Sequence, residues 1–200
     1  MNIEEIKRLL ERKILVLDGP MGTMIQKRKL VEKDFRGEKF KNFKNNLQGN
    51  NDILNLSNEK IIYEIHSEFL NAGADIIETN TFNSTKISQA DYGCEDFSYE
   101  LNFAGGTIAR KAADDSMAKS NNIKFVAGVV GPTNRTCSMS PDVNNPGFRN
   151  VSFDDLQSDY EISINALVDS GVDFIASKLE GLNFALDHRR LTKASRFCCT

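Results

Sequence analysis

The chain has 200 residues, 40% of them hydrophobic, with 25 Lys or Arg against 28 Asp or Glu and a net charge of -3. That length and apolar content support one domain with a sizeable core, or one large incomplete domain. The balanced charge excludes a dedicated nucleic-acid binder, which needs clustered cations, and no stretch approaches the roughly 18 to 20 apolar residues that cross a bilayer.

The N-terminus, MNIEEIKRLLERK, is charged where a secretory leader would be apolar, so the expected location is cytoplasmic. Ile3, Ile6, Leu9 and Leu10 recur at helical spacing over residues 2–12, and ILVL (14–17) then reads as a strand running into the turn Asp18-Gly19. The basic tract KFKNFKN (39–45) is followed by polar loop residues and reads as a solvated surface turn. Ser57 is placed to cap a helix whose buried stripe is Ile61, Ile62, Ile65, Phe69 and Leu70 and whose stop signal is Gly73. The strand DIIET (75–79) follows at once.

A long helical region from about Tyr99 to Lys119 leads into FVAGVVGPTN (125–134). Ser152 and Asp155 then form a capping box, Leu156, Tyr160, Ile164 and Leu167 mark a buried face, and Gly171 ends that helix before the strand VDFIA (172–176). The junctions NAGADII and DSGVDFI align Gly73 with Gly171 and Asp75 with Asp173, so the chain repeats one helix-Gly-x-Asp-strand phrase. Four apolar strands alternating with helices imply an α/β fold with parallel pairing. In such folds ligands bind at the carboxyl ends of the strands.

Three strand ends are polar in that way: LDGPMGT (17–23), ETNTFNST (78–85) and GPTNRT (131–136). Each combines a Gly or Pro turn with hydroxyl groups, suited to a small polar ligand. Asp18 is the carboxylate at the first exit and either pairs with an ammonium group or caps the next helix. Gly19 and Gly22 match no phosphate-loop spacing. His66 falls on the apolar face of its helix and reads as a packed structural group. Cys137 has no base partner in view, Met21, Met24 and Met139 read as packing groups, and the four cysteines (Cys94, Cys137, Cys198, Cys199) form neither a disulfide framework nor a local zinc finger.

Several longer phrases carry a resemblance. ILVLDGPMGTMIQ, DFRGE, GNNDILNLS, IHSEFLNAGADIIETNTFNST, AGVVGPTNRTCSMSPDV and FRNVSFDDL together resemble the N-terminal homocysteine-binding domain of cobalamin-dependent methionine synthases, from about Ile14 to Phe174. DFRGE and GPTNRT with the following SPDV resemble the cobalamin-dependent enzymes more than betaine-dependent ones. The resemblance implies a parallel (β/α) barrel of the TIM type, of which residues 1–175 supply about the first half, and a divergent tail over 176–200. It implies methyl transfer from methylcobalamin, carried on another domain, to homocysteine, whose sulfur is held as a thiolate on zinc bound by three cysteines. Partners would be the cobalamin-binding and folate-binding domains of the full-length enzyme. Asp18 would hold the ammonium group of homocysteine, Thr79, Asn80 and Thr81 would lie near its carboxylate, and Gly19 and Asn134 would complete the pocket.

Beyond Ile175 the sequence departs from that family. Glu180 stands near, but not at, the position of a substrate-binding glutamate, and GLNFAL (181–186) resembles a segment in which the family has a zinc-ligand cysteine where this chain has Phe184. Cys198-Cys199 resembles the family's adjacent cysteine pair without its flanking glycines, and two thiolates alone make a poor tetrahedral site. Two readings follow: a methyltransferase domain incompetent on its own because the zinc-bearing half is missing, or a non-catalytic amino-acid-binding or interaction module derived from that domain.

Overall fold

The computed structural model describes residues 3–177. Along them run α1 (Ile3–Leu10), α2 (Met21–Lys27), α3 (Glu32–Arg36), α4 (Leu54–Ser57), α5 (Glu59–Asn71), β1 (Ile76–Glu78), α6 (Lys86–Gln89), α7 (Ser98–Ser120), β2 (Phe125–Val130), α8 (Phe153–Asp169) and β3 (Phe174–Ser177). The strands pair in the order β1-β2-β3, all parallel, with Ile76 opposite Phe125 and Ala127 opposite Phe174. Parallel neighbours need a crossover, and α7 and α8 provide it. The expected α/β class is present as a small parallel sheet that does not close into a barrel among the described residues.

ILVL (14–17), expected as a strand, contributes a single parallel bridge, Leu17 to Ile76. Ile14 and Val16 are 89% and 52% exposed. The physical reason lies at Val16, whose N–H donates to the Asp75 carboxylate at 3.1 Å rather than to a backbone carbonyl. Tail positions Glu180, Phe184, Cys198 and Cys199 lie outside the described residues.

The repeated phrase is a repeated structure. Gly73 and Gly171 end α5 and α8 at φ +109° and +85°, a region that side chains rarely adopt. Two residues later Asp75 and Asp173 each accept a backbone N–H from the neighbouring chain segment, Val16 at 3.1 Å and Val126 at 2.8 Å. Each also meets a cation, Lys13 at 2.7 Å for Asp75 and Arg110 at 2.7 Å for Asp173. Burial pushes the Asp75 carboxyl up, but the hydrogen bonds from Lys13 and Val16 and the charges of Lys13 and Lys124 hold it below its ordinary value.

The core forms on the helix side of the sheet. Ile77 and Val126 pack on Leu70 of α5 and on Ala109, Ala112 and Ala113, small residues that let α7 lie close. Val130 packs on Leu156, Tyr160, Ile164 and Leu167 of α8. A further cluster around Ile53, Leu54, Ile62 and Ile65 takes in Phe35 and Phe40. Here KFKNFKN departs from the solvated turn expected of it. Phe40 is 3% exposed, and its ring meets those of Phe43 and Phe97 edge-on at 5.8 and 5.2 Å, while Lys39 and Lys41 face outward. Alternating lysine with phenylalanine satisfied both sides of that turn.

The capping box at α8 is as expected, with Ser152 Oγ accepting the Asp155 N–H at 3.1 Å and Asp155 accepting the Ser152 N–H at 3.0 Å. The Ser57 cap is not. Ser57 ends α4 and donates its hydroxyl to Ile53 O at 3.1 Å, and Asn58 precedes α5 without a side-chain cap. Beyond β2, Gly131 lies so close to Phe82 that a Cβ there would run into the Phe82 carbonyl oxygen. Gly131→Ala is therefore expected to lower stability by about 2 kcal/mol, the scale of overpacking against backbone, read as a lower midpoint in urea denaturation.

Candidate functional site

The turn after Leu17 and the carboxyl ends of β1 and β2 meet at a cleft of about 270 Å³. Asp18 and Gly19 enter from the first exit, Glu78, Thr79 and Asn80 from the second, and Val129 from the third. Asn51 and Asp52, ahead of α4, close another side. Gly19 is required here by packing, because a Cβ would sit 2.9 Å from the Phe69 ring of α5. A larger hollow of about 330 Å³ lies between α5 and α7, bordered by Tyr63, Asp115, Lys119 and Lys124. That hollow is at the opposite end of the strands, so the cleft at the carboxyl ends is the candidate site.

Each wall residue is held by bonds that spend its own polar groups. Asp18 accepts the Glu78 N–H at 3.0 Å, tying the first exit to the second. It caps no helix, since α2 is preceded by Pro20 without a side-chain cap. Thr79 Oγ1 accepts the Val129 N–H at 2.9 Å, and Thr81 Oγ1 donates to Val129 O at 2.7 Å. The two hydroxyls are 2.6 Å apart; as the Thr81 proton is used on Val129, Thr79 donates to Thr81. These threonines thus extend the β1-β2 ladder beyond Glu78 with side chains instead of backbone. Asn80 donates to Asn51 O at 2.9 Å and Asn55 Oδ1 at 3.1 Å, and Asn55 donates to Asn80 O at 2.7 Å.

Thr81 and Asn134 do not line the cleft. Thr81 is buried behind Thr79 against β2, and Asn134, exposed in the loop after β2, donates to Asp91 Oδ2 at 2.6 Å. Sequence reasoning missed Asp52, whose carboxylate accepts the Asn83 N–H at 2.7 Å and the Ser84 hydroxyl at 2.8 Å and so fixes the loop after β1. The signal available was the polar run Asn50-Asn51-Asp52 set directly against the apolar Ile53-Leu54. Met21 and Met24 pack on the core, whereas Met139 is 69% exposed and packs on little.

Burial pushes the Asp52 carboxyl up to about 6, against the opposing hydrogen bonds from Ser84 and Asn83. His66, fully buried on α5, has no hydrogen-bond partner for either ring nitrogen, and burial lowers it to about 4. The described residues lining the cleft include three carboxylates, Asp18, Asp52 and Glu78. Among the described residues no group of three His, Cys, Asp or Glu side chains converges to hold a metal ion. Cys94 is buried in the core around Ile53, and Cys137 packs beside the α8 cluster. No helix of the described residues is long and apolar enough to cross a membrane.

Comparison with solved structures places this arrangement in a known class. The homocysteine methyltransferase MmuM from Escherichia coli is similar in its metallated form, with a TM-score of 0.63 and 24% identity over 86% of this chain and 56% of that one. Its oxidized form gives 0.62 and 24% over 85% and 55%, and its apo form 0.55 and 24% over 84% and 50%. At that identity the likeness shows a shared fold, and the chain spans about half the length of these relatives. The chain belongs to the homocysteine S-methyltransferase family, whose model matches residues 15–179.

Asp52 and His66 give stability opposite pH slopes. Asp52 binds its proton more tightly when folded, so its contribution is full below pH 3.8 and is lost as pH rises through about 6. His66 binds its proton less tightly when folded, so its contribution is full above pH 6.5 and is lost as pH falls towards 4. Asp52→Asn should therefore gain about 3 kcal/mol relative to the unaltered chain between the lower and upper ends of that range. His66→Leu should lose a similar advantage over the same rise, both read from urea denaturation at a series of pH values.

Proposed function

We propose that residues 1–175 are the N-terminal part of the homocysteine-binding domain of a cytoplasmic cobalamin-dependent methionine synthase, the first half of a (β/α) barrel. Three findings support this reading: the family match, the phrases DFRGE, GPTNRT and SPDV, and a cleft at the carboxyl ends of the strands. The observation that carries it is the family match over residues 15–179, and the described lining of the cleft adds the carboxylates Asp18, Asp52 and Glu78. An amino acid entering it presents an ammonium group, and Asp18, fixed by the Glu78 N–H, is the carboxylate aimed from the first exit. Gly19, Thr79 and Asn80 form the wall along which the rest of homocysteine lies. Thr81 acts through Thr79, and Asn134 stands outside the contact.

The family resemblance calls for zinc, which holds homocysteine as a thiolate, and for methylcobalamin as methyl donor. The described residues do not fit zinc, since no three ligands converge. They bind and orient the amino acid, and the thiolate-holding and methyl-donating groups come from elsewhere, in the complete enzyme from the cobalamin-binding and folate-binding domains and the remaining barrel. On this reading the described residues bind homocysteine, which is also what an amino-acid-binding module would do.

Millimolar L-homocysteine should raise the thermal midpoint of the folded chain, and Asp18→Asn should weaken that binding by about tenfold or more, the scale of one charge-assisted contact. A folded chain whose midpoint does not move with homocysteine sinks the reading. Zinc-dependent stabilisation would show a metal site in the chain, and stabilisation indifferent to zinc would favour the binding module.

A further inference from the structure

Among the described residues the sheet has two sides without a further strand. On one runs segment 14–17, where Val16 O accepts the N–H groups of Asp75 and Ile76 at 2.8 and 3.1 Å and the Asp18 N–H donates to Ile76 O at 2.9 Å. Backbone groups alternate in direction along an extended chain, so those of Leu15 and Leu17 point away from β1. Ile14, Val16 and Leu17 are 89%, 52% and 46% exposed. On the other side runs β3, paired with β2 alone among the described residues. There the Asp173 N–H donates to Val126 O at 2.9 Å, and because Phe125 and Ala127 spend their backbone groups on β1, Phe174 and Ala176 face β2 and Ile175 turns its backbone groups outward. Neither Ile-Leu-Val-Leu nor Phe-Ile-Ala-Ser carries the lysine or proline that commonly blunts a free edge.

We propose that two copies of this chain pair edge to edge, segment 14–17 of each along β3 of the other, closing a ring of eight parallel strands about a two-fold axis. The proposal rests on the half-barrel reading above and concerns the 200-residue chain by itself, without the remaining barrel. Its support is the register. Level with Leu17 lie Ile76 and Phe125, and because Ala127 pairs with Phe174, that level reaches the β3 side at Val172. An eight-stranded barrel of this type is sheared by about eight residues around its circumference, hence by about four for each of two identical halves. A shift of about four residues sets Leu17 of one copy beside Ala176 of the other, so that segment 14–17 runs along 173–176. The opposite sense of shear would set Leu17 beside Val168, inside α8, where there is no edge. Polarity agrees as well, since the segment and the strands all run parallel. A head-to-tail contact that closes after two copies leaves no free edge, whereas one that fails to close produces open polymers.

Light scattering of the 200-residue chain at tens of micromolar is expected to give the mass of two chains. Ile14→Glu changes an exposed position that the single chain does not need, and it should weaken association at least tenfold with an unchanged circular dichroism spectrum. Leu15→Pro, which removes an outward N–H, should do the same; where it unfolds the chain, Ile14→Glu alone carries the test. With the native cysteines changed to Ser, Leu17→Cys in one copy and Ala176→Cys in another should cross-link when mixed through a short bifunctional thiol reagent, and neither should cross-link with itself. A single-chain mass, a polymer, or the absence of that mixed cross-link overturns the proposal. Loss of homocysteine stabilisation with the two-chain mass intact counts against the functional reading alone, and a single-chain mass with stabilisation intact counts against the pairing alone.

Discussion

Aspartate carboxylates bound to backbone N–H groups are the interaction on which this structure depends. Asp75 holds Val16, Asp173 holds Val126, Asp18 holds Glu78, Asp52 holds Asn83, and Asp159 holds both Lys86 and Ile87. A parallel sheet creates the need, because every strand must be brought back to the same end, and short strands such as β1 offer few ladder bonds to fix them. A hydrogen bond to a charged group contributes about 1.5 to 3 kcal/mol, against about 1 for a neutral one. Two of these clamps stand at strand starts and also hold a cation, Lys13 or Arg110. Of the others, Asp18 and Asp52 set walls of the cleft, and Asp159 ties α8 to the start of α6.

This arrangement explains why a buried apolar run should end in Glu-Thr-Asn-Thr. The side chains of Thr79 and Thr81 do what the backbone no longer does once β1 ends, supplying an acceptor and a donor to Val129. Asn80 similarly locks to Asn51 and Asn55. Gly105 of α7 leaves room for this, since a Cβ there would press on Thr81 and Asn55. The polar exit is thus a stiff, internally satisfied wall. A ligand meets fixed side chains and loses little free energy in ordering them, the condition under which a few contacts give useful affinity.

Much of the fold was legible because its signals were periodic. Helical stripes located α5, α7 and α8, and the repeated Gly-x-Asp phrase marked two strand starts with the same geometry. Legibility failed where tertiary contacts outweighed local pattern. ILVL has the composition of a buried strand, yet the Val16 N–H is taken by the Asp75 carboxylate, so it reduces to one bridge at Leu17. KFKNFKN has the charge of a surface turn, but Phe40, with Phe43 against it, reaches past the lysines to Phe97, more than fifty residues along the chain. Ser57 has the chemistry of a cap, but α4 continues through it. In the cleft, Asp18, Gly19, Thr79 and Asn80 could be named from the strand exits alone. Asp52 could not, because it comes from a loop far from any exit in sequence and is brought there only by its bonds to Asn83 and Ser84.

The cleft also shows how binding and chemistry divide along the chain. Its described lining comes from residues 18–22, 51–52, 78–80, 82–83 and Val129, all upstream of α8. Under the proposed function, the ammonium group is met at the first exits and at the loops that Asp18 and Asp52 fix. Holding a sulfur as a thiolate needs soft ligands, and neither Cys94, buried in the core, nor Cys137, beside the α8 cluster, has the two further ligands that would make a zinc site among the described residues. Under the proposed function the two tasks lie in successive halves of one barrel. The described bonds that shape the cleft, from Asp18 to Glu78, from Asp52 to Asn83 and Ser84 and from Thr79 and Thr81 to Val129, then belong to the half that binds the amino acid.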